Sequence, residues 1–149
     1  MLNDNYSEVD QIIDILVIED NENTINLFKV ITKKFDLTIK FARSMTDFFE
    51  IITQYHFKFV LCGLYSENKK DALFIAQFFN RLRLSSKQGK LLLFTSSMIL
   101  KREIDIHGFD GQLEKEFPYI YAFFKRHFNF RSISSVMNEE NVELHFANA

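Results

Sequence analysis

Phe57-Lys58-Phe59-Val60-Leu61-Cys62-Gly63 decides how this chain is read. Aromatic and β-branched residues favour a strand, and the glycine that closes the run leaves its last position without a side chain. Working outward, two more apolar runs close on polar groups: Ile15-Leu16-Val17-Ile18 on Glu19-Asp20, and Leu91-Leu92-Leu93-Phe94 on Thr95. A late short strand closes on Lys115. The full set predicts strands near residues 14–19, 37–42, 57–62, 90–95 and 109–113. Longer segments of helical period lie between them, which is the pattern of a parallel sheet covered by helices. In such a sheet the strand ends converge on one edge, where α/β folds hold ligands.

Five helices are expected in the intervals. Asn23 or Thr24 is placed to cap the first, whose apolar stripe is Leu27, Phe28, Ile31 and Phe35. Ser44, with Asp47 three residues on, opens the second and carries Phe48, Ile51, Ile52 and Tyr55 inward. The third runs from about Asp71 to Leu84, between the polar stretches 66–70 and 85–89. A short fourth occupies Met98 to Ile104. The fifth starts at Phe117 or Pro118, where proline is tolerated, and continues to about Phe128.

Composition narrows the classes of function. A chain of 149 residues suits one domain of ordinary size, and 47% hydrophobic with 26% charged residues is the make-up of a globular protein with a real core. Eighteen Phe make that core aromatic. The formal net charge of -2 and the scattered basic residues give no field to hold nucleic acid. Cys62 is the only cysteine, so no intrachain disulfide forms, and a reducing cytoplasm is the expected setting. No stretch has the eighteen apolar residues of a membrane span. The four glycines form no phosphate-binding loop, and no Gly-x-Ser-x-Gly elbow occurs.

Over residues 13–128 the order of these motifs resembles the receiver domain of bacterial two-component response regulators. Ile15 to Asn21 is similar to that family's first strand and acidic pair, Phe57 to Gly63 to its third strand, and Gly108 to Lys115 to its fifth strand ending in lysine. The resemblance implies an α/β fold: one doubly wound, flavodoxin-like domain with five parallel strands in the order 2-1-3-4-5 and five helices. Residues 1–12 would then be a polar N-terminal segment, and 129–149 a tail packed on the body or on a partner. In that family an aspartate ending the third strand takes phosphate from a histidine kinase. The acidic pair holds magnesium, and a threonine or serine and the lysine contact the phosphoryl group. Carried over, Glu19 and Asp20 match the acidic pair, Thr95 the hydroxyl residue and Lys115 the lysine. Three positions depart: Gly63 stands for the acceptor aspartate, Gln112 for the switch aromatic and Glu116 for the proline after the lysine. Without a carboxylate at 63 there is neither a nucleophile nor a full oxygen set for magnesium, so no metal and no cofactor are expected.

Each retained residue also has a plain reading: Asp20 favours a helix N-terminus, Thr95 is ordinary strand sequence, and Lys115 forms a loop salt bridge. Taken together they predict a degenerate phosphorylation pocket in which the Lys115 ammonium pairs with Asp20 or Glu19. Two alternatives concern the same place. The space beside Gly63 is expected to be vacant and able to take a small ligand. Phosphorylation at a displaced acid, Glu67 or Asp71, is the other, although Glu67 lies up to roughly 13 Å along an extended chain.

The fifth helix has more apolar surface than one sheet can cover. Phe117, Ile120, Tyr121, Phe124 and Phe128 form its core stripe, whereas Tyr119, Phe123 and His127 lie off it and need the tail, with Val136 to Phe146 as its structured part, or another molecule. The expected function is therefore non-enzymatic. The chain reads as a phosphorylation-independent signalling module that binds a protein partner, or itself, through that helix, with no nucleic acid or membrane involved.

Overall fold

The computed structural model describes residues 11–132. Five strands alternate with five helices: β1 (Ile12–Ile18), α1 (Glu22–Thr32), β2 (Ile39–Ala42), α2 (Met45–Ile52), β3 (His56–Cys62), α3 (Lys69–Leu82), β4 (Lys90–Thr95), α4 (Lys101–Ile106), β5 (Gly111–Glu114) and α5 (Phe117–His127). The strands form one sheet in the order β2-β1-β3-β4-β5, and every pairing is parallel. This is the order that the sequence resemblance implied.

The apolar runs are continuous because helices cover both faces of the sheet. Ile15 and Val17 of β1 face Phe28, Ile31 and Phe35 from the α1 region and Ile120 and Phe124 of α5. Leu16 and Ile18 face the opposite core, built with Phe48 and Ile52 of α2, Ala72, Ile75 and Phe79 of α3 and Ile104 of α4. Registers Ile18↔Cys62, Cys62↔Leu93 and Thr95↔Glu114 align the strand ends, so the residues that follow β1, β3 and β5 meet along one edge.

Several boundaries differ from expectation, each for a local reason. Helix α1 is capped by Asn21 and not by Asn23 or Thr24: the Asn21 carboxamide oxygen accepts from the Thr24 amide at 3.0 Å. Helix α3 starts at Lys69, because Asn68 caps it in the same way through the Asp71 amide. The expected Ser44 cap is present, with Ser44 Oγ accepting from the Asp47 amide and the Asp47 carboxylate accepting from the Arg43 amide. Helix α4 starts three residues and ends two residues later than expected and has no side-chain cap. Strand β5 spans 111–114 and not 109–113; just before it the Asp110 amide donates to Leu91 O, while the Asp110 carboxylate accepts from the Leu91 amide and pairs with Arg83. The turn before it needs Gly108, whose φ of 86° is unfavourable for residues with a Cβ.

Strand β1 begins at Ile12, inside the segment expected to be polar and separate. At the other end, Phe130 bridges Phe35 antiparallel and stacks on it at 4.8 Å, while the Arg131 amide donates to Lys34 O. The start of the tail thus lies beside the end of α1. Val136 to Phe146 and residues 1–10 fall outside the described residues.

Candidate functional site

Glu19 follows β1 and is fully buried, because its backbone continues the sheet by donating to Ala42 O. Lys115 follows β5, and its side chain crosses the strand ends to reach Glu19 Oε1 at 2.8 Å and to donate to Gly63 O at 2.8 Å. The first contact is a close, buried ion pair. Glu19 Oε2 accepts from the Asn21 amide at 3.1 Å. Burial holds the Glu19 carboxyl above its ordinary value, and the ammonium and the Asn21 amide only partly oppose it. Lys115 also lies over the Phe94 ring at 5.3 Å.

Gly63 sits at the centre of this arrangement, with its amide donating to Ile18 O at 2.7 Å. A Cβ there would fall 2.6 Å from Glu19 Oε1 and 2.7 Å from Ile18 O. The space beside Gly63 is therefore not vacant, which corrects the expected ligand pocket. Glutamate is one methylene longer than aspartate, and that added reach puts a carboxylate where a side chain at 63 would begin. Asp20, the other member of the acidic pair, is exposed and takes no part in the contact.

Thr95 is buried, and its hydroxyl hydrogen-bonds with Ser66 Oγ at 3.2 Å and accepts from the Ser97 amide at 3.3 Å. Its carbonyl accepts from the Lys115 amide. Ser66 was not singled out in the sequence, and its place depends on the 64–68 loop turning back, as the 2.7 Å bond from the Asn68 amide to Leu64 O records. The extended-chain distance for Glu67 is accordingly an overestimate: its charge is close enough to raise Glu19 further. Asp71 stays in the first turn of α3, its amide held by the Asn68 cap. Among the described residues no group of three or more His, Cys, Asp or Glu is placed to hold a metal ion.

Gln112 on β5 reaches the β4–α4 loop. Its carboxamide oxygen accepts from the Ile99 amide at 3.0 Å and its nitrogen donates to Ile99 O at 2.9 Å. Beside it a cavity of about 270 Å³ opens between that loop, β5 and α5, lined by Met98, Gln112, Leu113, Tyr119, Phe123 and Arg126 among others. Tyr119 is half exposed at its edge. Phe123 and His127 behave differently from expectation: Phe123 lies 5.0 Å from the Phe59 ring and His127 4.7 Å from it, so both have a partner within the domain. Phe117, expected in the core stripe, is exposed and stacks on Tyr121. Burial and the neighbouring Arg126 lower the His127 pKa.

Solved structures share this fold, three of them as follows. One is a chain in the co-crystal structure of the Saccharomyces cerevisiae histidine phosphotransfer signaling protein Ypd1 and the receiver domain of its downstream response regulator Ssk1. It shares 19% identity at a TM-score of 0.58, covering 79% of this chain and 88% of that one. A two-component response regulator from Legionella pneumophila shares 19% identity at 0.59, covering 74% and 92%. A response regulator receiver domain (CheY-like) from Methylobacillus flagellatus shares 18% at 0.58, covering 78% and 98%. The fold is that of a receiver domain. No family model matches the sequence, and no curated protein matches it. At these identities the receiver likeness is one of architecture, and the chemistry of the strand-end cluster rests on its own residues.

Proposed function

We propose that this receiver-fold protein is a phosphorylation-independent signalling adaptor: a protein-interaction module without catalytic activity, working in the cytoplasm. One observation carries the reading. The Glu19–Lys115 pair occupies the place at Gly63 where the resemblance puts an acceptor carboxylate, and it commits the ammonium that would otherwise contact a phosphoryl group. A group transfer at 63 has no nucleophile. Docking is a use to which this fold is put elsewhere: the yeast co-crystal structure holds a receiver domain together with a histidine phosphotransfer signaling protein. The groove at Tyr119, with exposed Met98, Leu100 and Ile106 around α4, is the apolar surface best suited to a protein partner or a second copy. Among the described residues no helix is long and apolar enough to cross a membrane.

Incubation with acetyl phosphate and magnesium, followed by intact mass measurement, tests the reading. No adduct is expected. A stable gain of one phosphoryl group would overturn it and direct attention to Glu67, whose charge acts on Glu19.

A further inference from the structure

Helix α4 has little of its own to hold it. It is six residues long, lacks a side-chain cap and buries only Ile104. Isolated helices of this length are unstable in water, so the approach to α4 must be fixed by other contacts. The loop before it, residues 96–100, is tied by hydrogen bonds at two places: the Ser97 amide on Thr95 Oγ1 at 3.3 Å, and the paired bonds between Ile99 and Gln112.

The second is the stronger tether. A carboxamide is a side-chain peptide group, with one acceptor and one donor set side by side. Gln112 uses both on one residue, taking the Ile99 N–H and giving to the Ile99 C=O, and so reproduces the exchange of bonds in a strand ladder. No aromatic ring at position 112 could satisfy both backbone groups. Gln112 and Ile99 are each half-buried, and Ile99 packs on the core beside α4. Releasing the side chain would leave two sheltered peptide groups without partners, which is the costly half of a hydrogen-bond exchange.

We propose that Gln112 is a latch that holds the β4–α4 loop on β5 in a single arrangement and thereby preforms the groove beside α5. Met98 comes from the latched loop and Gln112 from the strand that latches it, and both line the groove. A partner then meets a surface already in its binding shape, with no ordering of the loop left to oppose association. The inference deepens the adaptor reading and rests on it for its biological meaning, but the latch itself is a property of the isolated protein.

Amide hydrogen exchange on the intact protein tests it through Gln112→Leu and Gln112→Glu. Gln112→Leu removes both bonds at similar volume, and Gln112→Glu keeps the acceptor for the Ile99 amide and loses the donor. Ile99 should exchange about tenfold faster or more in Gln112→Leu, and by a smaller factor in Gln112→Glu, with the core amides of Val60 and Leu93 unchanged. An unchanged Ile99 rate in Gln112→Leu would overturn the latch. So would a rise shared equally by Val60 and Leu93, since that reports general loosening. A phosphoryl adduct in the mass experiment leaves this outcome untouched, and loss of the latch leaves the mass result untouched.

Discussion

Replacing Lys115 by Met would leave Glu19 buried with a charge and only the Asn21 amide to stabilise it. Removing one partner of a buried ion pair costs about 3–5 kcal/mol. The carboxyl can escape by taking up a proton, and that sets a ceiling. Protonation costs about 1.4 kcal/mol for each pH unit above the ordinary value of 4.5, so about 3.4 kcal/mol at pH 7. The two figures agree, and Lys115→Met should lose about 3 kcal/mol at pH 7. The sign with pH follows. Burial raises the folded-state pKa of Glu19, and without the ammonium it rises further. The folded variant then holds a proton that the unfolded chain has released, and its stability falls as pH climbs above 4.5. The deficit against the parent should therefore shrink at pH 5. Adding Glu19→Gln should restore at least half of the loss, because neither charge remains. Urea unfolding followed by circular dichroism at pH 5 and 7 measures all four corners of the cycle. A loss below about 1 kcal/mol at pH 7, the scale of an exposed pair, or a deficit independent of pH, would refute the buried-pair argument.

Gly63→Ala should destabilise by about 1–3 kcal/mol through overpacking, since its Cβ meets both Glu19 and the Ile18 carbonyl, and Gly63→Asp should lose more by adding a second carboxylate; thermal unfolding ranks the three proteins. Tyr119→Ser should leave stability within about 0.5 kcal/mol yet weaken association measured by light scattering or partner titration, whereas Phe123→Ser should lower stability by about 2 kcal/mol or more because its ring packs on Phe59. Equal stability effects from the two would refute that division. Burial pushes the Cys62 thiol up to about 12, so iodoacetamide at pH 8 should label it only after denaturation, and labelling of the native protein at a free-thiol rate would contradict its placement.

The strands were legible because both faces of the sheet are covered, which writes each one as an unbroken apolar run such as Leu91 to Phe94. Helix starts were less so. Asn21 and Asn68 cap through their own side chains, and a run such as Asn21-Glu22-Asn23-Thr24 offers three capping residues of nearly equal preference, so composition does not separate them. Lys115 and Glu19 were legible as strand ends, but the filling of the space at Gly63 depends on one methylene of reach, which spacing does not encode. Phe123 and Phe117 exchanged roles for a related reason. A helical stripe assumes a flat facing surface, whereas Phe59 stands up from β3 and meets the flank of α5. The Gln112–Ile99 pairing, thirteen residues apart, follows from the β4–β5 register, and no local pattern announces it.

On the proposed reading, the lost acceptor and the side-chain ties at positions 112 and 115 act in the same direction. A two-state switch needs its arrangements within a few kcal/mol of each other, so that a ligand favouring one can move the population. Releasing Lys115 from Glu19 costs about 3 kcal/mol. Opening the two Gln112 bonds costs about 2 kcal/mol more. The contacts share no residue, so the costs add to about 5 kcal/mol, and the released arrangement would hold on the order of one molecule in several thousand. Reversing that ratio needs a ligand that prefers the released arrangement by about twice that gap, about 10 kcal/mol, and Gly63 has no side chain with which to form such a bond. Control of the adaptor would then lie in how much of it and of its partner is present, and the affinity of the groove would be the same at every level of upstream signal.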